Sequence, residues 1–155
     1  MPDSLSLGVY KQIDERWAVM ADLQWTDWSL VETLVIAPVH APPTVLPENW
    51  RNTWFGAVGA SFRPTKNLLL QAGIGYDMSP VTNDNRTTRV PDANRFLVGG
   101  GVTYGLLDNV NVQFAVAQVI SGGAKINNAS PTAGLISGVY HTQATTVSLG
   151  VTARF

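Results

Sequence analysis

The sequence predicts an all-β chain, about seven strands of a transmembrane antiparallel up-and-down β-barrel. Three observations carry that prediction. Apolar residues alternate with small or polar ones over runs of about ten residues; the polar rows are nearly free of charge; and the connections between runs alternate short with long.

Composition narrows the field before any element is placed. The chain has 155 residues with 10 Lys+Arg, 11 Asp+Glu, a formal net charge of −1 and no cysteine. No basic footprint for nucleic acid is present, and disulfide or Cys-zinc scaffolds are excluded. Charged residues are 14% of the chain, against about 25% in ordinary soluble domains. Five Trp, five Phe and four Tyr give it enough apolar surface to order itself. No stretch approaches the ~18 consecutive apolar residues of a spanning helix. The start, Met1-Pro2-Asp3-Ser4, has neither a basic n-region nor an apolar h-region. If the mature protein lies outside the inner membrane, the chain is expected to be a piece of a longer protein whose Met1 is not the natural start.

The runs, in order, are 4–11, 17–30, 53–63, 68–78, 94–104, 110–120 and a last one ending at 155. Four of these alternate weakly: 4–11, 17–30, 53–63 and 94–104. In 68–78, Leu68, Leu70, Ala72, Ile74, Tyr76 and Met78 alternate with Leu69, Gln71, Gly73, Gly75 and Asp77. In 110–120, Val110, Val112, Phe114, Val116 and Ile120 share a face whose one polar member is Gln118. The last run sets Val147, Leu149, Val151, Ala153 and Phe155 against Thr146, Ser148, Gly150, Thr152 and Arg154. Alternation alone also fits a soluble sandwich or lipocalin-like barrel. The polar rows decide: Gly, Ser, Thr, Gln and Ala suit a crowded barrel interior, whereas a soluble sandwich shows water Lys, Glu, Thr and Arg. The apolar rows then face lipid.

Connections 12–16, 64–67 and 105–109 are short, while 35–51, 79–93 and 121–142 are long, as in barrels with periplasmic turns and extracellular loops. With Phe155 at the periplasmic side, Trp17, Phe62, Tyr104 and Phe155 form a lower aromatic rim, and Trp25, Trp54, Tyr76 and Phe96 an upper one. All eight have the lipid-facing parity, where amphipathic rings favour the headgroup level. Prolines 38, 42, 43 and 47 make the first long loop stiff and non-helical, a lid or an edge cover.

The inward parity collects Asp22, Gln24, Gln71, Asp77, Arg95, Asn111, Gln113 and Arg154 as lumen-lining candidates on a ligand path. The plainer role for most of them is packing and hydrogen bonding. Asp77 and Arg95 flank one long loop and can pair to hold it over the pore, or form a solvated ion pair worth ~0–1 kcal/mol. Gly99-Gly100-Gly101 relieve crowding or permit a bend within a strand. His40 and His141 lie singly in loops with no partner at metal-ligand spacing. No phosphate loop, nucleophile elbow or triad is visible, so no enzyme activity and no cofactor are expected.

Several segments carry a resemblance. These are Trp17-Ala18; Gln24-Trp25-Thr26-Asp27-Trp28-Ser29; Gly73-Ile74-Gly75-Tyr76-Asp77-Met78-Ser79-Pro80-Val81; Asn85-Arg86; Pro91-Asp92; Asn94-Arg95-Phe96; Gly101-Val102-Thr103-Tyr104; Lys125-Ile126-Asn127; and the terminal Phe155. The chain resembles the C-terminal half of the FadL family of outer-membrane long-chain fatty acid and hydrocarbon transporters, over essentially all 155 residues. The resemblance implies a 14-stranded barrel plugged by an N-terminal hatch, passive uptake of fatty acids or other hydrophobic compounds, and location in the bacterial outer membrane. Seven strands are about half of such a barrel, so residues 1–155 are expected to be its C-terminal part, with the hatch and early strands absent. Two open edges in lipid would leave backbone groups unsatisfied, so something must close the sheet. The implied partners are the lipid bilayer, an apolar small molecule such as a long-chain fatty acid, and the outer-membrane assembly machinery, which would read the C-terminal strand. Two other readings are a structural or adhesive surface barrel without transport, and a soluble lipid-binding β-barrel.

Overall fold

The computed structural model describes residues 1–40, 42–88, 90–130 and 134–154. Its strands are β1 (Ser4–Gln12), β2 (Trp17–Thr26), β3 (Thr33–Ile36), β4 (Thr44–Pro47), β5 (Thr53–Thr65), β6 (Leu68–Asp77), β7 (Arg95–Leu107), β8 (Val110–Ser121), β9 (Ala124–Ser130), β10 (Gly134–Tyr140) and β11 (Gln143–Ala153). One antiparallel sheet runs β1-β2-β5-β6-β7-β8-β11, and β3–β4 and β9–β10 are separate hairpins in the first and last long loops. The up-and-down order is the one expected. The described residues contain no helix long and apolar enough to cross a membrane.

Three boundaries differ from the sequence reading, each for a local reason. β2 stops at Thr26 instead of running to residue 30. Asp27 turns the chain by accepting the Ser29 hydroxyl (2.5 Å), and a 3₁₀ turn, Trp28–Leu30, follows. β5 and β7 run on to Thr65 and Leu107 through register shifts at Phe62/Thr65 and Gly105/Leu107. The first shift accommodates Pro64, which has no N–H to give the ladder. The third difference is the pair of loop hairpins. β3–β4 closes where Glu48 and Asn49 donate to the Glu32 carbonyl (2.8 and 3.0 Å), with Asn49 in the left-handed region at φ 41°.

Register shows which residues share a face. Leu7, Leu23, Gly56, Tyr76, Phe96 and Ile120 are successive cross-strand partners, as are Val9, Ala21, Val58, Ile74, Val98 and Gln118. The opposite face carries the glycine and amide rows. A methyl built on Gly101 would stand 3.2 Å from the Ala115 Cβ, and one on Gly99 or Gly75 would stand 3.4 Å from that of Ala117 or Ala57. Cross-strand Cβ atoms normally sit ~4.5–5.5 Å apart, so this face is compressed and concave. On the apolar face, no partner Cβ comes within 4 Å of a methyl built on Gly56 or Gly100. That face is convex, and it exposes Leu5, Val58, Phe114, Val147, Leu149 (75%) and Val151. An apolar expanse of this breadth needs a nonaqueous neighbour, and the strand pattern suits lipid.

Most of the buried apolar side chains lie at one end of the sheet, namely Val81 and Ala93 of loop 78–94 and Ala124 and Ile126 of β9, while Ala18 of β2 lies near the other. Arg86, also buried, ties loop 78–94 to β9. Its Nε donates to the Asp92 carbonyl (2.7 Å), Nη1 to Asn83 Oδ1 (2.5 Å) and the Lys125 carbonyl (3.0 Å), and Nη2 to the Val81 carbonyl (3.2 Å). The guanidinium fork suits this cluster of acceptors, which satisfies a group too costly to bury unpaired.

Candidate functional site

Three depressions succeed one another along the concave face. The upper one, about 530 Å³, is lined by Gln24, Thr26, Thr53, Phe55, Asp77 and Arg95 of the sheet, by Trp28 and Trp50, and by Met78, Pro80, Val81, Val90 and Asp92 of loop 78–94. The middle one, about 500 Å³, has a floor of Gly59, Gly73, Gly75, Gly99 and Gly101, with Asp22, Gln71, Met20, Phe55, Leu97 and Val119 around it. The lower one, about 520 Å³, is polar and lies among Arg63, Lys66, Asn67, Thr103, Asp108 and Asn111 at the end with the short turns. Phe55 borders both the upper and the middle depression. Gly and Ala rows clear the middle: a Cβ on Gly59 would lie 3.2 Å from the Ala72 carbonyl oxygen. The loop folds over the concave face because Ser79 is fixed on both sides. Its N–H donates to Asn94 Oδ1 (2.9 Å) and its hydroxyl to Asp92 Oδ2 (2.8 Å).

The residues singled out from sequence fall in these places unevenly. Gln24, Asp77 and Arg95 line the upper depression, Asp22 and Gln71 the middle, and Asn111 the lower. Gln113 shares the concave face but faces Gly150 and lines none of the three. Arg154 lies beyond the end of β11, where its N–H donates to the Asn109 carbonyl (2.9 Å). Asp22 Oδ1 overhangs Gly8, 2.8 Å from where a Cβ would stand. Arg95 Nη2 meets Asp77 Oδ2 at 2.7 Å, and its Nη1 lies 3.8 Å from Asp92 Oδ1, so the two residues flanking the loop are paired. Both side chains are about a third exposed, so the pair contributes ~0–1 kcal/mol.

Other lining residues were not singled out. Phe55 and Leu97 have the concave parity, which the alternation itself displays, but their apolar side chains carry no polar signal. Trp28 and Met78 fall in the sequence runs 17–30 and 68–78, and Met78 there shares the lipid-facing row. But β2 ends at Thr26 and β6 at Asp77, so both leave the strand period and line the upper depression with Trp50 of the connection before β5. Arg86 carried only a resemblance. On the convex face stand Trp17, Trp25, Trp54, Phe62, Tyr76, Phe96 and Tyr104. Trp17 stacks on Phe62 (centroids 4.4 Å, 26° between planes), Trp25 faces Trp54, and Tyr76 faces Phe96. Phe155, the eighth aromatic position, lies outside the described residues.

Known proteins share this architecture. The chain is 27% identical over 128 residues to the long-chain fatty acid transport protein of Escherichia coli K12, covering 82% of this chain and 29% of the relative. It is 31% identical to a putative outer membrane protein of Neisseria meningitidis serogroup B, covering 76% and 27%. The crystal structure of a Pseudomonas aeruginosa FadL homologue superimposes with a TM-score of 0.89 at 25% identity, over 98% of this chain and 35% of that one. The Pseudomonas putida toluene transporter TodX has the same fold, with a TM-score of 0.66 at 21% identity over 99% and 35%. The chain thus spans about a third or less of the length of these relatives. Its model matching residues 1–155 throughout, the family described as outer membrane protein transport protein (OMPP1/FadL/TodX) is the one to which this chain belongs.

Proposed function

We propose that the chain is the C-terminal part of an outer-membrane barrel that takes up long-chain fatty acids or other hydrophobic compounds by passive diffusion. The observation that carries this reading is the row of three depressions on the concave face, which joins a loop-covered apolar and polar cavity to a glycine-floored middle and a polar lower end. An apolar ligand moving along it exchanges one apolar surface for the next, and no step calls for covalent chemistry. In this reading Asp22, Gln24, Gln71, Asp77, Arg95 and Asn111 line the path, with Gln113 and Arg154 beside it.

The convex face meets lipid, and its aromatic positions form belts at the two headgroup levels. β1 and β11 are the sheet edges, closed by the rest of the barrel. β11 is also the strand offered to the assembly machinery. Uptake of a radiolabelled hydrophobic compound by cells lacking their own transporter is the test. Expression of the full-length protein in the outer membrane is expected to restore it without dependence on the proton gradient. No restoration for any fatty acid or hydrocarbon overturns the reading.

A further inference from the structure

Charge at the upper cavity bears on which hydrophobic compounds enter, a point that rests on the channel reading above. The described lining residues include two carboxylates, Asp77 and Asp92, and one guanidinium, Arg95, whose formal charges sum to 1 − 2 = −1. That guanidinium already faces both carboxylates, at 2.7 and 3.8 Å. The Trp50 indole N–H, which could receive an anion, donates instead to Glu48 Oε2 (3.0 Å). Among the described residues, two further cations near the cavity do not line it. Arg86 is buried in its own four bonds, and Arg51 Nε donates to the Ser79 carbonyl (3.2 Å).

The remaining wall is aromatic and apolar: Trp28 and Trp50 edge to face with centroids 5.3 Å apart, then Phe55, Met78 and Pro80. A ligand carboxylate entering here would shed water and meet two like charges, and among the described lining residues the one cation, Arg95, is already paired. A neutral ring would lose nothing polar and would find ring edges and faces to pack against. We propose that Asp77, Asp92 and Arg95 make the upper cavity a charge filter that admits neutral aromatic compounds and rejects aromatic carboxylates of the same shape.

Equilibrium dialysis of the purified full-length protein in detergent, against naphthalene and naphthoate at neutral pH with empty micelles as blank, tests this. The wild-type protein is expected to prefer naphthalene by at least tenfold, since juxtaposed like charges discriminate by that much or more. Asp77→Asn, which frees Arg95, and Asp92→Asn are each expected to narrow the preference severalfold by strengthening naphthoate binding. Wild-type affinities within twofold of each other, no binding of either compound, or folded variants that keep the wild-type preference would each overturn the filter. Uptake of naphthalene by cells is read separately. Lost uptake with the binding preference intact overturns the channel reading and leaves the filter standing.

Discussion

Gly101 shows how one missing side chain shapes the path. Any Cβ there would stand 3.1 Å from the Phe114 carbonyl oxygen and 3.2 Å from the Ala115 Cβ, and backbone cannot yield as a flexible side-chain tip can. Gly101→Val is therefore expected to destabilise the folded barrel by about 1–3 kcal/mol through overpacking and to slow uptake by narrowing the middle depression. A lowered midpoint for the heat-induced mobility shift, together with uptake rates, checks this. Asp14 acts at the opposite end. Its carboxylate accepts the N–H groups of Arg16 and Trp17, both at 2.7 Å, and these bonds hold its pKa below the ordinary 3.8. The lowered value means that the fold favours the charged form, so the bonds are intact above the ordinary carboxylate range and lost as the pH falls through the depressed value. Fluorescence of Trp17, which the turn positions, is expected to change in that acid range and to stay flat there in Asp14→Ala.

Loop 78–94 is an element with its own small core, and Arg86 is the residue that joins it to β9. Four hydrogen bonds end on this one buried guanidinium. Arg86→Ala leaves the Val81, Asp92 and Lys125 carbonyls without that donor, a cost on the order of 3 kcal/mol to loop closure. Arg86→Lys is expected to recover only part, because one ammonium cannot reach what a planar fork reaches. Limited proteolysis on intact cells should show the loop cut faster in the order Ala, Lys, wild type, with the strands still protected. Cleavage at the wild-type rate in Arg86→Ala would contradict the anchoring role. Sequence gave this element poorly. Asn85-Arg86 carried a likeness but no visible reason, since the partners lie as far off as Lys125 and no period runs through a loop. The hairpins β3–β4 and β9–β10 were hidden similarly, being short and set largely within stretches that read as long connections.

At the scale of the whole sheet, the solvent on each face determines which substitutions are tolerated. Val116, mid-strand on the convex face, pairs with Gly100 and Val147. Val116→Arg is expected to cost about 2–4 kcal/mol near the bilayer midplane and to cut the amount of folded protein in outer-membrane fractions sharply. Thr146→Arg, on the concave face opposite Ala117, is expected to fold and to alter uptake only. Equal loss for both variants would remove the assignment of faces. The proposed charge filter sits on this same distinction, since Asp77 and Arg95 would act on a ligand only where the concave face bounds its path.

The strands themselves were legible in the chain, because a period of two survives wherever one face meets lipid and the other a crowded interior. Their order followed from connection length, since short turns leave neighbours no choice but to pair. The small, uncharged rows also named the inward face, but not how tightly it curves. That is decided by compression between Gly101 and Ala115, Gly99 and Ala117, and Gly75 and Ala57, contacts made only when strands distant in sequence bend together. The upper cavity likewise exists only in three dimensions. Trp28 and Trp50 flank the β3–β4 hairpin while Asp92 belongs to loop 78–94, which Ser79, Asn94 and Arg86 fold back across the sheet, so that all three line one cavity with Arg95.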